Sequence, residues 1–501
     1  MLFCFFIVIF VPKEDQATIM NMKGLTDNNI PIDFLTSAVS EGKCSSTKEI
    51  LEWIQIQNKE VHSNIAQIPL NKIQGWNVSS EKISHETGRF FSIEGIKITT
   101  NYGNVASWSQ PIINQPEIGF LGFITKKIDG ILHFLIQAKI EPGNINTVQI
   151  SPTLQATRSN YTRVHKGKAP LYLEYFNGEK DVIILVDQLQ SEQGARFLHK
   201  RNRNIIIEID SKEDIPIYDN FRWVTLRQIK ELMQYPNVVN MDTRTVISCI
   251  TYGSYTDENL LLLQAFNIIK SQAPDKISSN IYSILSRDNH KHDFNHLIQW
   301  ITSLKFKYEL NVSSIPLQDI KNWVMDGNTI RHQQDKYFSV IGVNVEIGNR
   351  EVVSWDQPMI KAAQDGIAAF IVKKINGIYH FLVQAKLEAG NFDVVELAPT
   401  VQCLTGNYRK GDNEYTVPYL DIVLNASEEQ TWYSVYQSEE GGRFFHEQNL
   451  NMIVEIPEDS PIEEGGNYCW MTLNQLQYFV VFNNYVNISA RSILSAIQFH
   501  I

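Results

Sequence analysis

The chain has 501 residues, 43% of them hydrophobic and 20% charged, a composition that excludes a disordered chain and suggests roughly two to four domains. The formal net charge of −11 argues against a surface built for nucleic acid or anionic membranes. Five cysteines (Cys4, Cys44, Cys249, Cys403 and Cys469) are scattered, odd in number and never in a CxxC pair. They argue against a disulfide framework or a zinc site built from them, and for a reducing, cytoplasmic setting.

In chain order, residues 2–11 (LFCFFIVIFV) are apolar, but a bilayer span takes ~20 residues. No basic residue precedes them and no small-residue cleavage site follows before Lys13-Glu14-Asp15, so a secretory signal is not expected. They read as an unstructured extension with Met20 or Met22 as the initiator, and 1–47 as an N-terminal extension. A short helix near Leu51 follows, then Ile-, Val- and Phe-rich strands over Phe90–Ile98, Gly119–Lys127, Leu132–Ala138 and Val182–Val186. Asp129-Gly130 between two apolar runs predicts a hairpin. A segment that could be helical leads to a strand at Ile205–Ile209 and a helix at Leu226–Met233. Pro236–Asn295 contains one clear helix, Asp257–Gln272, expected to pack two halves together. Leu297, Ile301, Leu304 and Tyr308 then recur at helical spacing.

The two halves are copies. Shifted by 247 residues, KKIDGILHFLIQAKIEPGN (126–144) meets KKINGIYHFLVQAKLEAGN (373–391), identical at 14 of 19 positions. The same shift pairs Trp76 with Trp323, Asn160-Tyr161 with Asn407-Tyr408, Gly194 with Gly441, Arg196-Phe197 with Arg443-Phe444 and Trp223 with Trp470. Asn376-Gly377 repeats the hairpin. A period this long means two duplicated domains, 48–235 and 295–501, joined by a helical linker, 236–294. Each is α+β and sheet-based.

No Ser-His-Asp elbow, GxGxxG fingerprint, P-loop or HExxH is present, which argues against a dehydrogenase or kinase. Polar side chains concentrate in 137–168. Lys139 and Glu141 are a candidate catalytic pair, since each perturbs the pKa of the other; the alternative is an ion pair at a strand end. Thr157, Arg158, Ser159, Asn160 and Tyr161 suit hydrogen bonding to, and stacking on, a sugar or uracil-type ring. Arg158, Arg163, Lys166 and Lys168, with His165 between them and no acid, form an anion site or else a solvated loop. Trp76 and Trp323 are candidates for stacking on a nucleobase, or core residues.

The blocks IPLNKIQGW, HETGRFFSIEGI, SWSQPIINQPEIGFLGF and QAKIEPGNINTVQISPTLQATRSNYTRVHKGK resemble the NDP-hexose 2,3-dehydratase family over about Leu51 to Gln477, duplication included. The resemblance implies tandem Nudix-like mixed-sheet α/β/α modules, a homodimer, and a dTDP-linked 4-keto-6-deoxyhexose as substrate. Nudix hydrolases carry a carboxylate-rich helix that holds magnesium on a diphosphate. Here the nearest segments, Gln190–Gly194 and Gln437–Gly441, lack the upstream Arg-Glu, so neither a metal nor any other cofactor is expected.

For such a reaction a base must take the C3 proton, a donor must hold the C4 oxyanion and an acid must release the C2 hydroxyl. Glu141 or His165 would be the base, and Lys139, Arg158 and Tyr161 the donors or acids. Arg163, Lys166 or Arg443 would hold the diphosphate, and Trp76 or Trp323 the thymine. Asn407 and Tyr408 would supply a second, weaker subsite. At the 247 offset, Arg158, His165, Lys166 and Lys168 become Thr405, Asp412, Asn413 and Tyr415, so the first copy is expected to be the active one. A Nudix-type NDP-sugar hydrolase and a non-catalytic nucleotide-sugar binding protein are the competing readings.

Overall fold

The computed structural model describes residues 30–157, 170–252, 283–284, 286, 289–348, 353–403, 416–462 and 464–499. The expected helix at Asp257–Gln272 lies outside them.

The helix Thr47–Glu60 starts at a capping box in which Ser46 and Glu49 satisfy each other's backbone N–H groups. Its Ile50, Trp53, Ile54 and Gln57 are buried at the spacing of one helical face. The matching helix, Phe294–Lys307, buries Leu297, Ile301 and Leu304. Within 1–47, Ile30–Val39 is a helix that buries Phe34, Leu35 and Ala38. Its Ser37 hydroxyl donates to the Leu132 carbonyl and accepts from Leu226 N. The extension thus contributes to the core from residue 30 onward, which its mixed sequence (IPIDFLTSAV) did not reveal.

Each half builds a seven-stranded mixed sheet. In the first, Phe120–Ile128 and Ile131–Ile140 form the predicted hairpin, with Asp129 and Gly130 both at positive φ (50° and 77°). Arg201–Glu208 runs parallel to Phe120–Ile128, and Phe221–Thr225 pairs antiparallel with Ile131–Ile140. In the second, Gly366–Ile375, Ile378–Lys386, Gln448–Glu455 and Tyr468–Thr472 repeat this arrangement. Strand alternation sorts side chains between two cores. Phe123, Phe134 and Ile136 face a central core shared with Phe370, Phe381 and Val383 of the other half. Ile124 and Leu135 face a small outer core with Tyr175 and Phe176, and Ile371 and Leu382 do the same with Trp470.

Two wholly buried helices, Met241–Ser248 and Ile488–Ser495, pack together in the central layer. Their arginines cross reciprocally. Arg244 donates to Ser492 Oγ and the Ser438 carbonyl, and Arg491 donates to Thr245 Oγ1 and the Ser191 carbonyl.

The halves are not self-contained. Strand Ser63–Ile68 of the first pairs antiparallel with Phe338–Ile347 of the second, and Leu310–Ile315 of the second pairs with Ser92–Thr100 of the first. The copies exchange equivalent edge strands, so the outer sheets, one of five strands and one of six, each draw on both halves. The exchange satisfies a backbone edge that each half would otherwise expose.

The segment between Val186 and Ile205, read as possibly helical, is instead the end of strand Ile183–Ser191 followed by a turn. Its side chains are held from the opposite half: Gln190 Nε2 donates to the Val480 carbonyl and Ser191 Oγ to Glu396. These tertiary bonds override local helix propensity. No helix among the described residues is long and apolar enough to cross a membrane.

Candidate active site

The strand Ile131–Ile140 delivers Lys139, and Glu141 follows it directly. Lys139 Nζ lies 3.6 Å from Glu141 Oε1, which also accepts from Gln155 Nε2 at 2.8 Å. Gln155 Oε1 in turn accepts from Asn240 Nδ2 at 3.3 Å. Asn240 caps the helix Met241–Ser248, whose first turn carries Asp242. An acid in that first turn faces the positive end of the helix dipole.

The second half closes this site. Gly143 N donates to the Gly441 carbonyl at 2.7 Å, and the Gly143 carbonyl accepts from His446 N at 3.0 Å. A Cβ on Gly143 would overlap the Phe444 carbonyl, so only glycine allows this backbone approach. The docked turn carries Glu440, whose Oε1 accepts from Gly442 N at 3.1 Å, and Arg443. The Arg443 guanidinium lies over the Phe91 ring at 4.1 Å and donates to Gln115 Oε1 and the Gly442 carbonyl.

Three carboxylates therefore converge from two halves. One oxygen of each, Glu141 Oε2, Asp242 Oδ1 and Glu440 Oε2, is buried without a protein partner. Burial, followed by the charge of Glu141, pushes Glu440 up to about 7, opposed by Arg443. Burial, then Glu440 and Glu141, raises Asp242 well above the usual carboxylate range. Burial lowers Arg443, against the pull of Glu440 and Glu141. Glu440 and Asp242, both held toward the protonated form by burial and like charge, beside a lysine and an arginine, are equipped for general acid–base work.

A pseudo-equivalent site lies across the molecule. Lys386 Nζ donates to the Gln402 carbonyl at 2.6 Å, and Gln402 Nε2 donates to Glu388 Oε1 at 3.0 Å. Gly390 N donates to the Gly194 carbonyl at 2.7 Å, and Arg196 lies over the Phe338 ring at 4.2 Å. At the positions of Asp242 and Glu440 this site has Ser489 and Gln193. Its unpartnered buried atoms include the Gln193 amide and two Arg196 nitrogens.

Of the residues singled out in the sequence, Lys139, Glu141 and Arg443 come together at the first site, and Thr157 follows the strand Leu154–Ala156 that carries Gln155. Arg158, Ser159, Asn160, Tyr161, Arg163, His165 and Lys166 lie outside the described residues, as do Asn407 and Tyr408. Trp76 and Trp323 belong to the small core between the exchanged strands. The Trp76 indole N–H donates to the Asp356 carbonyl at 2.7 Å and that of Trp323 to the Ser109 carbonyl at 3.1 Å. Asp242 and Glu440 escaped the sequence reading. The signal was available: each is an acid in one copy and neutral at the 247 offset in the other, and both fall in one site.

The chain matches the family model for NDP-hexose 2,3-dehydratase twice, over residues 47–250 and 294–497. A dTDP-4-dehydro-6-deoxy-alpha-D-glucopyranose 2,3-dehydratase from Saccharopolyspora spinosa is 41% identical over 93% of this chain and 94% of its own. Proteins of the same name from Amycolatopsis orientalis (37%, over 93% of each chain) and Streptomyces violaceoruber (40%, over 89% of this chain and 96% of its own) are similar too. With both halves matched and these identities spanning nearly the full length, the chain belongs to the NDP-hexose 2,3-dehydratase family.

Proposed function

We propose that the chain is a hydro-lyase acting on dTDP-4-keto-6-deoxy-D-glucose in deoxysugar biosynthesis, with the first-copy site as its active centre. The observation that carries this reading is the convergence of Glu141, Asp242 and Glu440, each with a buried oxygen left for a ligand.

The C4 ketone acidifies the C3 proton. Glu141, beside Lys139 and Gln155, takes that proton. The electron pair passes toward the C4 oxygen, where Lys139 and the Arg158 guanidinium donate. The C2–O bond then breaks, and Glu440, protonated near neutrality, gives its proton to the departing hydroxyl, which leaves as water. The enol left between C2 and C3 takes a proton at C2 and loses one from O3, giving the 3,4-diketo-2,6-dideoxy sugar. Asp242 relays protons between Glu440 and Glu141. The net change is the loss of one water, so no redox cofactor is needed. Tyr161 is a further donor and His165 an alternative base.

Arg163, Lys166 and Arg443 hold the diphosphate, while Trp76 and Trp323, packed in the core between the exchanged strands, are not assigned to the thymine. Each half is a Nudix-like α/β/α module, the pair arose by gene duplication, and the chain works as a homodimer. The family resemblance supports these assignments, as does the cationic segment Arg158–Lys168.

The test is incubation of purified protein with dTDP-4-keto-6-deoxyglucose in EDTA. The expected product has lost the mass of one water, trapped by a 3-ketoreductase. Magnesium-dependent release of dTMP would replace this reading with the hydrolase, and binding without turnover would replace it with the binding protein.

A further inference from the structure

The start of the helix Phe294–Lys307 differs chemically from its counterpart Thr47–Glu60, although the backbone surroundings repeat. In both halves a buried histidine accepts from the N–H two or three residues before the helix cap: Lys43 N to His133 Nε2 at 3.3 Å, Lys291 N to His380 Nε2 at 2.9 Å. In both, a glutamine side chain reaches back to a carbonyl there, Gln228 to Ser45 and Gln475 to His292. Among the side chains that differ around this frame are three potential metal ligands in the second half. At the 247 offset, Ser45 becomes His292, Glu49 becomes His296 and Arg222 becomes Cys469.

The three replacements converge. Donor atoms of His292, His296 and Cys469 all lie within 4.8 Å of one another. The two imidazoles are near-parallel, with centroids 4.2 Å apart. Cys469 is buried on the strand Tyr468–Thr472, His292 is half-buried and His296 is exposed, so the cluster opens to solvent on one side. His292 Nε2 is 2.8 Å from Glu464 Oε1, and Glu464 is itself held by Lys291 at 2.6 Å. A carboxylate on one imidazole nitrogen fixes the tautomer and leaves the other nitrogen for a metal.

We propose that His292, His296 and Cys469 bind a zinc-class divalent ion, with His292 ligating through Nδ1, Glu464 orienting it and water in the open fourth position. Zinc sits about 2.0–2.3 Å from nitrogen and sulfur donors, so on binding the two stacked imidazoles turn out of parallel to aim one nitrogen each at the ion. The sulfur is ligated as thiolate, its proton passing to solvent. The ion would fasten the first turn of this helix to the sheet, in place of the capping box that Ser46 and Glu49 form in the first half. The site shares no residue with the carboxylate cluster and is independent of the proposed reaction. Cysteine spacing gave no hint of it, because it uses one cysteine and two histidines.

Tag-free full-length chain titrated with Co²⁺ is expected to develop a thiolate-to-metal charge-transfer band saturating at one ion per chain, and Zn²⁺ should displace it. Cys469→Ser should abolish the band, His296→Ala should weaken binding at least tenfold, and Glu464→Gln should weaken it about tenfold. Zn²⁺ should raise the thermal midpoint of the parent chain but not of Cys469→Ser. Absence of the band in the parent, or its persistence in a folded Cys469→Ser chain, overturns the proposal.

Discussion

The two composite sites are built on one plan and charged differently. Each takes a Lys-x-Glu and an Asn from one half and a glycine-containing turn with an arginine from the other. Each docks the two by the same glycine-to-carbonyl contact. The first adds Asp242 and Glu440 where the second has Ser489 and Gln193. In sequence, the segment 158–168 is cationic, whereas its counterpart 405–415 sets Arg409 and Lys410 against Asp412 and Glu414. The frame is therefore common to both copies, and on the proposed reading the acids added at Asp242 and Glu440 make the first site the reacting one, although the second adds Glu396 where the first has Gln149. Because each site straddles both halves, neither half could have been discarded.

The largest effect should come from the carboxylates. Glu141→Gln should lower turnover by about 10²–10⁴-fold, the usual range for a positioned acid or base. Glu388→Gln, its counterpart, should leave turnover within a few fold. Steady-state kinetics on both variants decides, and equal losses would abolish the distinction between the sites.

Next come the cations. Lys139→Ala and Arg158→Ala should each lower turnover more than tenfold, with Lys386→Ala nearly normal. Each tenfold step corresponds to about 1.4 kcal/mol of transition-state stabilisation. Inactivity of Lys386→Ala together with a normal Lys139→Ala would move the chemistry to the second site.

The comparison also shows what a sequence can disclose. The 247 offset, the Asp129-Gly130 hairpin and the Lys139–Glu141 pair were all legible, because repetition, turn chemistry and short spacing are local signals. The strand exchange was not. Ser63–Ile68 and Leu310–Ile315 are equivalent segments, and a pattern of alternating residues is the same whichever copy supplies the partner strand. The convergence of Asp242 with Glu440 was hidden for a related reason: they are separated by nearly 200 residues and meet through tertiary contacts, the docking of Gly143 on Gly441 and of Arg244 on the Ser438 carbonyl. The segment Gln190–Gly194 looked helical because part of what holds it, the Val480 carbonyl and Glu396, lies in the other half.

A pH profile sharpens the roles. Glu440 as proton donor must be protonated. With its pKa raised to about 7, kcat should fall as pH rises through about 7. In Glu440→Gln the residual activity should lose that alkaline limb. A limb that survives this change would assign the acid to another group, Asp242 first.

The smallest effect concerns stability rather than rate, and again sets one copy against the other. Lys230 is buried in the first copy, and its ammonium donates to the Ser495 and Ile497 carbonyls at 2.7 and 2.8 Å, across the join at the end of the helix Ile488–Ser495. The equivalent residue in the second copy is the neutral Gln477. Burial lowers the Lys230 pKa from 10.5 to about 7, so between those values the unfolded chain holds a proton that the folded chain has released. Stability contributed by this residue therefore rises with pH across that window and is lowest below about 7, where the charge must be buried. Lys230→Gln, which copies the second half, should flatten this part of the stability-versus-pH curve measured by urea unfolding. It should cost more at high pH, where neutral Lys230 is well accommodated, than at pH 6. An unchanged slope would mean that the carbonyls of Ser495 and Ile497 keep the ammonium charged, and that this contact joins the halves as an ordinary cation at a helix C-terminus.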